Sequence, residues 1–176
     1  MTSCGYHSFE GKETTISVPY IAGDERMELQ AAIIRHVSHA SPCHCIQKDG
    51  AYVLQVHILR DEQERIGFRY DRDNPAGKRE RNLLGVESRR TLRVDVSILH
   101  QGQTIAGPFS LRASVDMDST NPGSPRDLLF EQKQPIMQFS LGQLDSSEGA
   151  FDDAMTPLAD RMAEQIARIV REVLID

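Results

Sequence analysis

Residues 89–117 read RRTLRVDVSILHQGQTIAGPFSLRASVDM, and their alternation decides the fold. Leu92, Val94, Val96 and Ile98 fall on one side of an extended chain, while Arg93, Asp95 and Ser97 fall on the other. This period of two is the mark of a half-buried strand. Phe109, Leu111, Ala113, Val115 and Met117 repeat the pattern against Ser110, Arg112, Ser114 and Asp116. His100-Gln101-Gly102-Gln103 between them reads as a hairpin turn, so the two strands are expected to pair and to present one apolar face that something must cover.

Working outward, residues 52–60 alternate through Leu54, Val56 and Ile58, and Ile66, Phe68 and Tyr70 resume the period beyond a charged interruption, which predicts a long or bulged strand. Residues 14–21 (TTISVPYI) lie between Gly11 and Gly23 and are rich in β-branched and aromatic residues; Pro19 puts that strand at a sheet edge or at a strand end. Two amphipathic stretches can supply the cover. Asp24 can cap a helix running to Val37, with Met27, Ala31, Ile34 and Ile33, Val37 as its buried stripe. A longer helix near the end carries Phe151, Met155, Leu158, Met162, Ile166, Ile169, Val170 and Val173 on one side, with Thr156 as a cap before Pro157. Residues 118–147, with Asn121-Pro122-Gly123-Ser124-Pro125, read as loop with one short strand or turn near residues 136–141. The expectation is an α+β two-layer sandwich: two helices on one face of a mostly antiparallel sheet of about four strands. Residues 14–176 form a single domain, and residues 1–13 a tether.

A chain of 176 residues, 39% hydrophobic, has core enough to fold without disulfides or a structural metal. A net charge of -6 argues against a dedicated nucleic-acid binder. Yet Arg60, Arg65, Arg69, Arg72, Lys78, Arg79, Arg81, Arg89, Arg90 and Arg93 concentrate half of the 20 basic residues in one stretch. Two readings stand for that stretch, a solvated hairpin of mixed charge and an anion-binding site. No apolar run approaches the roughly 18 residues of a membrane-spanning helix. Only Met1, Thr2 and Ser3 precede Cys4, so the sequence displays no export segment; such a segment would lie upstream, and without one the protein would be cytoplasmic.

His36, His39, Cys43, His44 and Cys45 fall within ten residues and invite a zinc hypothesis. Structural zinc normally takes a second ligand pair, which the sequence lacks, so free or core cysteines are expected and no metal. A disulfide between Cys43 and Cys45 is awkward, because on one face of a strand their Cα atoms sit near the roughly 7 Å limit. There is no phosphate-cradling glycine loop, no G-x-S-x-G elbow and no H-E-x-x-H helix. The carboxylate pairs Asp61-Glu62, Asp71-Asp73 and Asp152-Asp153 fall in loops or helix starts, so no enzyme and no cofactor is expected.

Cys4-Gly5-Tyr6-His7, the strand Ile16-Ser17-Val18-Pro19 about ten residues on and the helix beginning near Glu25 resemble the start of mature LPS-assembly lipoproteins, the LptE family. The central strands and the closing helix extend that resemblance over nearly the whole chain at the level of pattern. It implies acylation of Cys4 and an anchor at the periplasmic face of the outer membrane. It also implies an LptD-type β-barrel partner that the protein plugs, and a role in lipopolysaccharide assembly. Met1 stands where that family's lipidation signal usually has a leucine. Under this resemblance Arg69, Arg72, Lys78, Arg79, Arg89, Arg90 and Arg93 become candidates for lipopolysaccharide binding, since guanidinium forks suit phosphates. The alternatives are a lipoprotein of another envelope secretion or transport complex and, further off, a metal-dependent cytoplasmic protein.

Overall fold

The computed structural model describes residues 14–40, 43–46, 48–72, 78–119, 128–131, 134–137 and 147–174. Its centre is the hairpin foreseen from the alternation. β4 (Arg79–His100) pairs antiparallel with β5 (Gln103–Asp118) across a two-residue turn, in which Gln101 and Gly102 hold φ of 50° and 79°. Both lie in the left-handed region, as a turn matched to strand twist requires. Leu92 opposes Ala113, Val94 opposes Leu111 and Val96 opposes Phe109, so one register aligns the central apolar alternates. A bulge follows at Gly107, whose φ is 95°; a Cβ there would lie 2.5 Å from the Val96 carbonyl oxygen, which leaves room for glycine alone.

β3 (Tyr52–Arg72) pairs antiparallel with β4 along its whole length, with Leu54 opposite Ile98 and Val56 opposite Val96. The charged interruption in the sequence is a bulge between Ile58 and Arg60, beyond which Asp61 takes the inward position opposite Leu92. β1 (Thr14–Ser17) lies parallel to β3, and β2 (Cys43–Ile46) lies parallel to β1. The sheet therefore has five strands in the order β2-β1-β3-β4-β5, one more than the sequence suggests. The additional strand, β2, is too short for its period to be read, and its pairing with β1 is what makes it a strand. β1 is an inner strand, and Pro19 lies just past its end, where no ladder hydrogen bond is needed.

Both long helices cover the same face, as expected. α1 (Glu28–Ala40) buries Leu29, Ala32, Ile33 and Val37, whereas Ile34 is 39% exposed and Met27 55% exposed. The stripe expected through Met27, Ala31 and Ile34 is thus turned outward. The sequence offers two overlapping stripes, and the one containing Leu29 runs the full length of the helix, so packing selects it. Asp24 does cap, from one turn earlier: its buried carboxylate accepts the Gln30 N–H at 2.8 Å. The expected closing helix is two segments, α2 (Ser147–Asp153) and α3 (Met155–Leu174), meeting at Ala154. Thr156 does not cap it; its hydroxyl donates to Glu28 Oε2 at 3.0 Å, tying α3 to α1. Leu158, Met162, Ile166 and Val170 of α3 are completely buried against Leu92, Val94, Val96, Ile98 and the inner face of α1.

Within residues 118–147, β6 (Leu128–Glu131) and β7 (Gln134–Met137) form a separate antiparallel hairpin, where one short strand or turn was expected. The remainder of that segment, like residues 1–13, lies outside the described residues. No helix among the described residues is long and apolar enough to cross a membrane.

Candidate functional site

β5 ends where Asp118 pairs with Glu87, but β3 and β4 continue as far as Arg72 opposite Arg79. At a rise of about 3.3 Å per residue, the last six residues of β3 carry this two-stranded ribbon about 20 Å beyond the three-stranded part of the sheet. A two-stranded ribbon in water has little stability of its own, so apolar side chains are expected to be sparse on its surface. Here they are not. Tyr70 directly opposes Leu83, Phe68 lies two residues before Tyr70 on the same side, and the three are 43%, 52% and 54% exposed. Arg65, Lys78 and Arg81 are exposed on the same ribbon and Arg69 is half-buried. The result is an arm with an aromatic and aliphatic surface among basic residues, suited to a partner that is apolar and anionic together.

The seven basic candidates divide between two places. Arg69, Arg72, Lys78 and Arg79 belong to the ribbon and its tip; Arg89, Arg90 and Arg93 belong to the body of the sheet. Arg90 is only 7% exposed and points inward with Leu92. Its Nε and Nη2 donate to the two carboxylate oxygens of Asp61 at 3.0 and 2.5 Å, and its Nη1 donates to the Phe151 carbonyl at 2.6 Å. The guanidinium also stacks on the Phe151 ring, 3.8 Å from its centroid. Arg90 is therefore a clamp that fastens the bulged part of β3 and the α2 segment to β4, with each of its three nitrogens engaged inside the protein. Arg89 is exposed to solvent but grips Asp116 of β5 with two hydrogen bonds of 2.6 and 2.9 Å. Chiefly through that hydrogen bond, Asp116 is held below the usual carboxylate range and Arg89 is pushed further up. Arg93 is exposed on the outer face of the sheet, with no hydrogen bond or ion pair among the described residues.

Among the described residues, no three His, Cys, Asp or Glu side chains converge as metal ligands would. His36 sits in α1 with Nε2 3.4 Å from Asp160 of α3, and His39 lies in the last turn of α1. Cys43 is buried on β2, Cys45 is partly buried two residues on, and both are free thiols. Burial pushes the Cys45 thiol up, opposed by its hydrogen bond with Ser38 and reinforced by Cys43.

Sequence reasoning missed two features. The first is the ribbon surface: in sequence Phe68 and Tyr70 show only the strand period, and the signal that they face solvent is the density of charge around them. The second is an apolar groove of about 780 Å³ between α1 and the ends of β1 and β2, lined by Val18, Tyr20, Ile34, Cys45, Ile46 and Val53 among others. It exists because Ile34 is turned away from the core, a consequence of the helix register described above.

No protein-family model matches the chain, and no curated protein matches it. Among solved structures it is similar to a minor lipoprotein from Acinetobacter baumannii, with a TM-score of 0.52 and 14% identity over 92% of each chain. It is also similar to a chain from Caulobacter crescentus provisionally described as a lipoprotein, with a TM-score of 0.50 and 14% identity over 89% of this chain and 88% of that one. At such identities the likeness is one of fold.

Proposed function

We propose that this protein is an outer-membrane lipoprotein, anchored through Cys4 at the periplasmic face, that binds and plugs an LptD-type β-barrel and assists lipopolysaccharide assembly. The observation that carries the reading is that a fold shared with a minor lipoprotein over 92% of both chains follows a Cys4-Gly5-Tyr6-His7 start. The ribbon supports the assembly role. Lipid A joins acyl chains to phosphates, and an arm that carries Phe68, Tyr70 and Leu83 beside Arg69 and Lys78, with Arg72 and Arg79 paired at the end of its strands, offers chemistry for both parts. Arg90 has no part in ligand binding on this reading, because its fork is spent on Asp61 and Phe151.

Co-expression of the acylated full-length protein with LptD, followed by affinity purification through a tag on the smaller chain, tests the proposal. The barrel is expected in roughly equal amount. A triple variant Phe68→Ser, Tyr70→Ser, Leu83→Ser is expected to bind lipopolysaccharide at least about tenfold more weakly, as the loss of some 1.4 kcal/mol or more of contact implies. A folded, acylated chain that recovers no barrel would contradict the proposal.

A further inference from the structure

The outer face of the sheet, opposite the helices, is polar, and its cross-strand rows can be read from the register. Asp95 opposes both His57 and Ser110; Arg89 opposes both Glu64 and Asp116; Thr91 opposes Glu62 and Ser114. Each of those rows mixes charge with a neutral or opposite partner. One row does not. Arg93 opposes Arg60 on β3 and Arg112 on β5, so three guanidinium side chains stand side by side across the middle of the sheet.

Neighbouring side chains in such a row have Cβ atoms about 4.5–5.5 Å apart, and like charges directly opposite one another are destabilising. The nearby carboxylates leave two of the three unpaired. Glu62 holds Arg60 at 2.9 Å, and the carboxylate of Asp95 accepts the Ser110 hydroxyl at 2.5 Å. Arg93 and Arg112 are exposed, and among the described residues neither side chain has a hydrogen bond or an ion pair. Their backbone is rigidly placed: β4 is an inner strand, and α3 fastens β5 from below, with Gln165 donating to the Arg112 carbonyl at 3.4 Å and Arg161 to the Ser114 carbonyl at 2.6 Å. Two unpaired forks carried on adjacent strands, with a third one strand over, place guanidinium groups within reach of a single tetrahedral oxyanion.

We propose that Arg93 and Arg112, assisted by Arg60, bind a phosphate group on the outer face of the sheet, at a place separate from the ribbon and independent of the function proposed above. The phosphate could be carried by a lipid headgroup or by a soluble molecule, and the chemistry of recognition is the same for both.

The thermal midpoint of the purified protein, measured in sodium pyrophosphate and in sodium chloride at matched ionic strength, tests this. Pyrophosphate is expected to raise the midpoint above the chloride value, and the double variant Arg93→Gln, Arg112→Gln to lose that rise. Without phosphate the variant is expected to melt no lower than the parent, since it relieves repulsion; this separates loss of a site from loss of fold. Removing one charge-assisted contact should weaken binding about tenfold in the single variant Arg93→Gln, followed by titration calorimetry. Sedimentation with phosphatidylcholine vesicles containing phosphatidic acid identifies the source. Co-sedimentation that depends on Arg93 and Arg112 supports a lipid headgroup, and a midpoint rise without co-sedimentation supports a soluble phosphate. Equal midpoints in pyrophosphate and chloride, or a response that the double variant retains, would overturn the proposal.

Discussion

Arg90 illustrates how one residue's meaning changes once its surroundings are fixed. In sequence it is one of ten basic residues in a net positive stretch and invites an anion; in the structure it is the anion's equivalent, Asp61, that has claimed it. Replacing Arg90 with Met should cost about 3 kcal/mol of stability, because Asp61 is then left partly buried without its partner. Urea denaturation would read this as a lower midpoint, and replacing Asp61 by Leu in the same chain should recover much of the loss. An unchanged midpoint in the single variant would show that the clamp is not structural. Cys45 makes a second prediction at this scale. The thiolate is the reactive form, and burial raises the pKa of this thiol, so the protonated form persists at neutral pH. Alkylation by iodoacetamide at pH 7.5 should be slower for Cys45 than for glutathione and should accelerate only as the pH is raised well above that point.

At the scale of elements, the helices and the ribbon carry apolar residues for different reasons, and substitution separates them. Met162 of α3 is completely buried, so Met162→Ala should lower stability by about 3 kcal/mol. Phe68→Ser on the ribbon removes a side chain that is 54% exposed and should shift stability by no more than about 0.5 kcal/mol. Parallel denaturation curves check both, and a large loss at Phe68 would mean that the ribbon surface belongs to the core. The sequence disclosed strands well and helix faces less well. Strand period is two, so the apolar set at Leu92, Val94, Val96 and Ile98 has only one way to face inward. Helix stripes overlap, and with Met27, Ala31 and Ile34 available beside Leu29, Ile33 and Val37, the choice falls to packing between α1 and α3.

For the whole molecule, the two-layer architecture was legible because each apolar face implied a cover, and two amphipathic helices were at hand to supply it. What could not be read were facts of pairing: that β2 completes a five-stranded sheet, and that Arg112 comes to stand beside Arg93 although it lies outside the basic stretch. The ribbon site was visible as charge but not as an arm, because that depends on where β5 stops. The proposed anchor, Cys4, lies ahead of the described fold and can be tested directly. The measurement is mass spectrometry of the gene product expressed with its native upstream sequence in a Gram-negative host. A mature chain that starts at Cys4 and carries acyl chains on that residue is expected. An unacylated chain with Met1, Thr2 and Ser3 still attached would contradict it.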